Sequence, residues 1–396
     1  MNTIVWSYSS LLLYIFISLI AAYGIKNAKT NGIRIIAGGI TINVGYVLFF
    51  CVFWLLAILR SVENGLGGGD IWNYLRIFEE SLKIPLSFDF FSKSSEVEPL
   101  FLLLNKCIYA INSNPRFYLA VMYGIIVIGY LMFIRSWCPQ KISYIPLIVL
   151  IFPFLKSFCT LRSSIAIAII LIGISVFKKN KLLGSIITLL SPFIHISAVL
   201  YVPFILFHNL YRKKIKKMNK YRLCIFILMY LLLAYLASII FKNYFGTMLI
   251  TGRYSYYAGD LKGSSFIQRI PLYFTQIVLA IALVLIDEKT YISQNSHSEG
   301  EKSKIEFIKV CCIYDILVIP VAYMFGIWRA GEFFYLPRLI MWGILIYGLC
   351  RNRVKNHSSL FIIKMLAWFV AFGWIIFRIT REYLELGIMP YQLLGH

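Results

Sequence analysis

Apolar stretches separated by short polar connectors run the length of the chain. They lie near 8–25, 36–59, 99–112, 116–134, 142–158, 162–177, 182–208, 223–241, 269–286, 305–327, 335–350 and 359–377. Several reach the roughly 17–25 residues that carry a helix across a bilayer. None shows the two-residue alternation of an outer-membrane barrel strand. The pattern predicts an all-α polytopic integral membrane protein of about 11–12 transmembrane helices, with further re-entrant or interfacial helices.

The connectors give these spans a direction. Lys26 to Arg34, Arg135 to Lys141, KKNK at 178–181, RKKIKKMNKYR at 212–222 and RNRVK at 351–355 are all basic. Positive-inside asymmetry places every one of them in the cytoplasm. The 60–98 connector, with four basic against seven acidic residues, then lies outside. Parity requires 99–112, too short for an easy crossing, to be re-entrant or interfacial. The segment 182–208 has cytoplasmic flanks at both ends and must enter and return. SPFIHIS at 191–197 is its expected turn near the bilayer midplane, with Pro192 breaking the helix. Both termini are expected outside, and the opening MNTIVWSYSSLLLYIF reads as a retained first helix rather than a signal peptide. The outward stretches are 60–98, 242–268 and 328–338. No internal repeat is visible, so 1–396 reads as a single membrane domain.

Composition agrees. The 396 residues are 60% hydrophobic and 14% charged, against about 25% charged in soluble domains. The net charge of +22 resides in the membrane-flanking tracts, which explains it without nucleic acid. Eight cysteines without a CxxC pair indicate neither a disulfide framework nor a metal site.

Several polar residues invite chemistry, each beside a plainer reading. In RSVENGLGGGDIWNY, glycines precede Asp70, and Asp70 and Tyr74 share a face if a helix starts there; a capped interfacial helix explains the same pattern. Glu98 precedes Pro99, which is ordinary helix-start chemistry. Arg162 heads a span whose far end is KKNK, so it lies on the outer side, against the charge rule; snorkelling is the simple account. His195 is an ionisable residue at a helix break, either a core histidine or a site residue. Arg253 with Tyr256, and Arg329, Glu332, Tyr335 and Arg338, combine cations and aromatics suited to sugars and diphosphates. Aromatic belts also explain the tyrosines.

In order, LRSVENGLGGGDIWNY, EPLFLLLNKCI, LRSSIAIAII and SPFIHISAVLYVPF resemble the EpsG/Wzy group of polysaccharide polymerases over about residues 60–205. Ser163 stands where that group usually has glutamine, and Gly69 where threonine is common. The resemblance implies a glycosyltransferase that joins undecaprenyl-diphosphate-linked oligosaccharide repeat units into O-antigen or a related polysaccharide at the outer face of the bacterial inner membrane. A GT-C-like helical bundle is implied by analogy. On that reading Arg162, then Arg60, Arg253, Arg329 and Arg338, would neutralise the departing lipid diphosphate. Asp70, Glu98 and His195 compete as general base, with Asp70 favoured. No cofactor or metal is expected. The partners implied are the lipid-linked oligosaccharide, membrane lipid, and flippase and chain-length regulator proteins. The alternatives are a flippase or transporter, which should show repeat symmetry, and another lipid-linked transferase such as an O-antigen ligase.

Overall fold

The structure, a computed structural model, describes residues 7–30, 32–37, 40–62, 66–86, 97–213, 298–324, 331–352 and 357–393, with short helical pieces between 221 and 236 and between 276 and 283. In chain order the elements are α1 (Tyr8–Thr30), β1 (Arg34–Ala37), β2 (Ile40–Asn43), α2 (Val44–Ile58), α3 (Ile71–Glu79), α4 (Pro99–Ile111), α5 (Pro115–Trp137), α6 (Ile151–Lys156), α7 (Leu161–Phe177), α8 (Lys181–Leu190), α9 (Phe204–Lys213), α10 (Glu299–Met324), α11 (Tyr335–Asn352) and α12 (His357–Leu386). Among the described residues three helices are long and apolar enough to cross a membrane: Tyr8–Thr30, Pro115–Trp137 and Ser358–Tyr383. Shorter apolar helices, including Val44–Ile58 and Leu161–Phe177, pack among them. The protein is an all-α polytopic membrane protein.

Two apolar segments differ from the uniform spans expected. The first part of 36–59 is an antiparallel hairpin, Arg34 pairing with Asn43 and Ala37 with Ile40. The β-branched residues of RIIA and ITIN favour strand over helix. Asn43 then caps α2 through its side chain to Gly45 N. The stretch 142–158 is also broken: a 3₁₀ turn over Ile145–Leu150 leads into the six residues of α6. Pro146 and Pro153 fall within the first turn of each piece, where a missing N–H is harmless.

Helix ends sort into two groups. At one end Arg116, in the first turn of α5, donates to the carbonyls of Ile58 and Arg60 (3.3 and 2.5 Å). At the other, Lys29 Nζ donates to the carbonyls of Arg135 and Cys138 (3.2 and 2.8 Å), and Lys178 Nζ to Ser136 O (2.9 Å). The connectors at 26–34, 135–141 and 178–181 thus gather at one end, and α7 runs from Arg162 at the opposite end towards them.

From Asn180 the chain turns back along α7. α8 lies so close that a Cβ on Gly173 would fall 2.3 Å from Thr188 Oγ1, and one on Gly184 would fall 2.4 Å from Phe177 N. A 3₁₀ turn at Ser191–Phe193 and another at Ile196–Tyr201 flank His195. α9 then returns, bringing the His208 ring to 6.1 Å from Phe177. The segment doubles back along α7, and its turn lies near the far end of that helix rather than half way along it. α8 rises about 15 Å and the 3₁₀ turn about 6 Å. Together they nearly match the roughly 25 Å of α7, so His195 arrives near the Arg162 end.

Residues 386–393 cross that same end as a strap. Gly67 N and Gly69 N donate to the carbonyls of Gly387 and Leu386 (2.9 and 3.3 Å), and Ser61 N to Gln392 O (2.7 Å). Tyr391 N donates to Ser10 Oγ (2.8 Å) and its hydroxyl to Leu56 O (3.0 Å). The strap ties α1, α2 and the glycine-rich loop together.

Candidate functional site

Glu98 is the N-cap residue of α4, with extended backbone and Pro99 following, yet its carboxylate makes no cap hydrogen bond. Both oxygens serve other elements. Oε2 accepts from Arg162 Nη1 at 2.8 Å, and Oε1 lies 3.2 Å from His195 Nδ1. The Glu98 side chain is 2% exposed, and those of Arg162 and His195 are 20% and 14% exposed. A buried carboxylate thus joins two cationisable groups that reach a less buried rim. An ionised carboxylate can only accept, so Nδ1 carries the proton and the neutral ring presents its lone pair at Nε2.

The walls are aromatic. Tyr74 in α3 lies beside the Arg162 guanidinium and donates to Cys159 O at 3.3 Å. Its ring meets Phe101 of α4 edge-on at 6.2 Å. Two buried polar atoms, Arg162 Nε and the Tyr118 hydroxyl, have no hydrogen-bond partner among the described residues. Each such buried group costs about 1–3 kcal/mol unless something satisfies it. A bound anionic or hydroxylated ligand is one way to recover that energy.

The other predicted residues fall elsewhere. Asp70 occupies the N-cap position of α3 one turn before Tyr74, but its exposed carboxylate accepts no hydrogen bond among the described residues. Arg60 is 1% exposed and locked into the fold. It donates to the carbonyls of Gly67 (2.7 Å) and Ala57 and to the Tyr123 hydroxyl (2.9 Å). Its guanidinium also lies 3.9 Å from the Phe158 ring centroid and 4.6 Å from that of Tyr123.

Arg338 belongs to a second buried cluster. Its Nη1 donates to Asp315 Oδ2 at 2.8 Å, and its Nη2 to Gly331 O. The Asp315 carboxylate, fully buried, also accepts from Gln276 Nε2 (2.9 Å) and the Tyr201 hydroxyl (2.8 Å). Tyr335 lies with its ring centroid 5.0 Å from the Arg338 guanidinium. Glu332 pairs with Lys156 at 2.8 Å, in a charge group completed by Glu382 and Arg378. Arg253, Tyr256 and Arg329 lie outside the described residues.

Sequence reasoning overlooked Tyr118, Lys156, Tyr201, Gln276 and Asp315. Asp315 alone carried a readable signal, an acid inside CCIYDILVIP that demands a buried cation. Among the described residues no group of three or more His, Cys, Asp or Glu could hold a metal ion.

A family model described as EpsG family matches residues 46–393, which include Glu98, Arg162 and His195. No curated protein and no solved structure matches the chain.

Proposed function

The chain belongs to the EpsG family, and on that premise we propose that it is a membrane glycosyltransferase that polymerises lipid-linked oligosaccharide repeat units. Membership implies a polysaccharide-polymerase type of function and a place in polysaccharide biosynthesis. The substrate we assign is an oligosaccharide on undecaprenyl diphosphate, processed at the outer face of the bacterial inner membrane. The observation that carries the reading is the single carboxylate of Glu98 bridging Arg162 and His195.

The reaction needs a base for the acceptor hydroxyl and a cation for the leaving diphosphate. Glu98 orients His195 through Nδ1, so Nε2 takes the hydroxyl proton as the oxygen attacks the anomeric carbon. The bond from that carbon to the diphosphate oxygen breaks, and its electron pair leaves with the lipid diphosphate. Arg162 meets the developing charge with a planar donor set suited to phosphate oxygens. This assignment prefers His195 to Asp70 because Asp70 lacks an orienting partner among the described residues. Tyr74, packed beside Arg162, is assigned to substrate binding at the same site. No step requires a nucleotide.

The test is deletion of the chain followed by glycan electrophoresis, with complementation by Arg162→Ala. Polymerase function predicts lipid carrier bearing single repeat units in place of a ladder. Loss of even the single-unit product from the outer face assigns the protein to translocation instead. A full ladder in the Arg162→Ala strain removes Arg162 from the site.

A further inference from the structure

The end of the bundle that gathers the basic connectors holds a cavity of about 770 Å³ between α1, the 145–150 turn, α11 and α12. One cation from each of three helices lines it: Lys26 from α1, Arg351 from α11 and Lys364 from α12. Arg351 donates to the Tyr347 hydroxyl at 3.0 Å, and among the described residues none of the three pairs with a carboxylate. Tyr23 and Trp368 add the amphipathic rings found at membrane interfaces.

A second space adjoins the cavity. Ile346 lines both the cavity and this space of about 360 Å³ between α11 and α12, whose walls include Val149, Leu339, Trp342, Leu366 and Val370. Arg338 and Tyr335 line its far part, and the Arg338 charge is already matched by Asp315 at 2.8 Å. The slot therefore has one cationic mouth without counter-charge, an apolar body and a neutralised far end. From Arg351 to Arg338 along α11 is about 20 Å, more than the roughly 15 Å depth of one leaflet's hydrocarbon.

We propose that this slot binds one anionic glycerophospholipid of the leaflet next to the basic connectors, its phosphate among Lys26, Arg351 and Lys364 and an acyl chain along α11. Basic pockets between transmembrane helices on the cytoplasmic side recognise phosphate-bearing headgroups in this way. The lipid would fill the gap between α12 and the rest of the bundle, since only 11% of the spanning part of α12 is buried against protein. The site lies at the opposite end from the Glu98 cluster and stands whether or not that cluster polymerises sugars.

The full chain, purified in detergent, is mixed with dioleoyl phosphatidylglycerol, dioleoyl phosphatidylcholine, undecaprenyl phosphate or inorganic phosphate, and followed by native mass spectrometry and thermal melting. Phosphatidylglycerol should be retained one per chain and raise the melting midpoint, while phosphatidylcholine of identical chains and inorganic phosphate do neither. The variant Lys26→Gln/Arg351→Gln/Lys364→Gln should bind it about a hundredfold more weakly, as expected for three cations at an anionic headgroup. Ala367→Trp, which fills the apolar body and leaves the cations intact, should also lose it, and keeps the test valid if the triple variant does not fold. Equal retention of the two phospholipids overturns the proposal, as does undiminished binding by Ala367→Trp. A melting shift from inorganic phosphate alone, or stronger retention of undecaprenyl phosphate, reassigns the slot to another ligand and overturns it equally.

Discussion

Arg162 and Glu98, 64 residues apart in the chain, meet at 2.8 Å, and the carboxylate also holds His195 at 3.2 Å. Replacing Glu98 with glutamine preserves shape and removes the charge that orients the imidazole. Turnover of purified lipid-linked repeats in proteoliposomes should fall about 10²- to 10⁴-fold. Protonating His195 occupies Nε2, so the wild-type rate should decline as pH falls. The residual rate of His195→Gln should lose that acidic limb. Turnover within a few-fold of wild type in Glu98→Gln would exclude the carboxylate from proton transfer.

Arg60 and Arg162 should separate cleanly by substitution. A lysine at 60 cannot reach the carbonyls of Ala57 and Gly67 and the Tyr123 hydroxyl together, nor stack between two rings. At least one buried acceptor is stranded, at about 1–3 kcal/mol. Arg60→Lys should therefore lower the melting midpoint in detergent. Arg162→Lys, which keeps a cation beside the buried Glu98 carboxylate but loses the planar donor fork, should elute and melt close to the wild type while losing activity. Normal melting of Arg60→Lys would refute the anchoring role.

Gly68 has φ near +127°, and a Cβ there would lie 2.2 Å from Phe158 O. Positive φ alone costs an alanine about 1–3 kcal/mol, and the clash displaces either the glycine loop or the turn that leads to Arg162. Gly68→Ala should reduce folded yield on size-exclusion chromatography. An unchanged elution profile would show that the turn yields without cost.

The orientation of the bundle can be read by labelling. The exposed turn 112–114 lies at the Arg162 end and Lys179 lies at the other. In a background carrying Cys107→Ser, Ser113→Cys should react with a membrane-impermeant maleimide on intact cells or spheroplasts. Lys179→Cys should react only after permeabilisation. The reverse pattern inverts the assignment of the outer face.

The course of 181–213 was legible because basic tracts flank it on both sides, which forces a return whatever the path. The direction of α7 was legible for the same reason. Hydropathy could not reveal what Arg162 meets inside the protein, because Glu98 is 64 residues away and sits in a dipeptide that ordinarily just starts a helix. It also treats an arginine sealed by carbonyls and rings, as Arg60 is, and one at a rim, as Arg162 is, identically. The hairpin at 34–43 was hidden by its own apolarity, since residue period rather than mean hydropathy separates strand from helix over so few positions. The strap at 386–393 acts mainly through main-chain atoms, which no side-chain pattern announces.

The return of α8 has a mechanical corollary. His195 is carried on a short helix rooted at the face with the basic connectors, whereas Glu98 belongs to α4, whose following turn lies with Arg116 at the other face. The 3.2 Å contact between them therefore closes a gauge whose two jaws are rooted at opposite ends of the bundle. Lipid of longer or shorter acyl chain should pull the jaws out of register, because mismatch shifts interfacial anchors at modest energetic cost. Turnover measured across phosphatidylcholines of graded chain length should peak at one bilayer thickness, and a flat profile would show that the pair is held by protein alone.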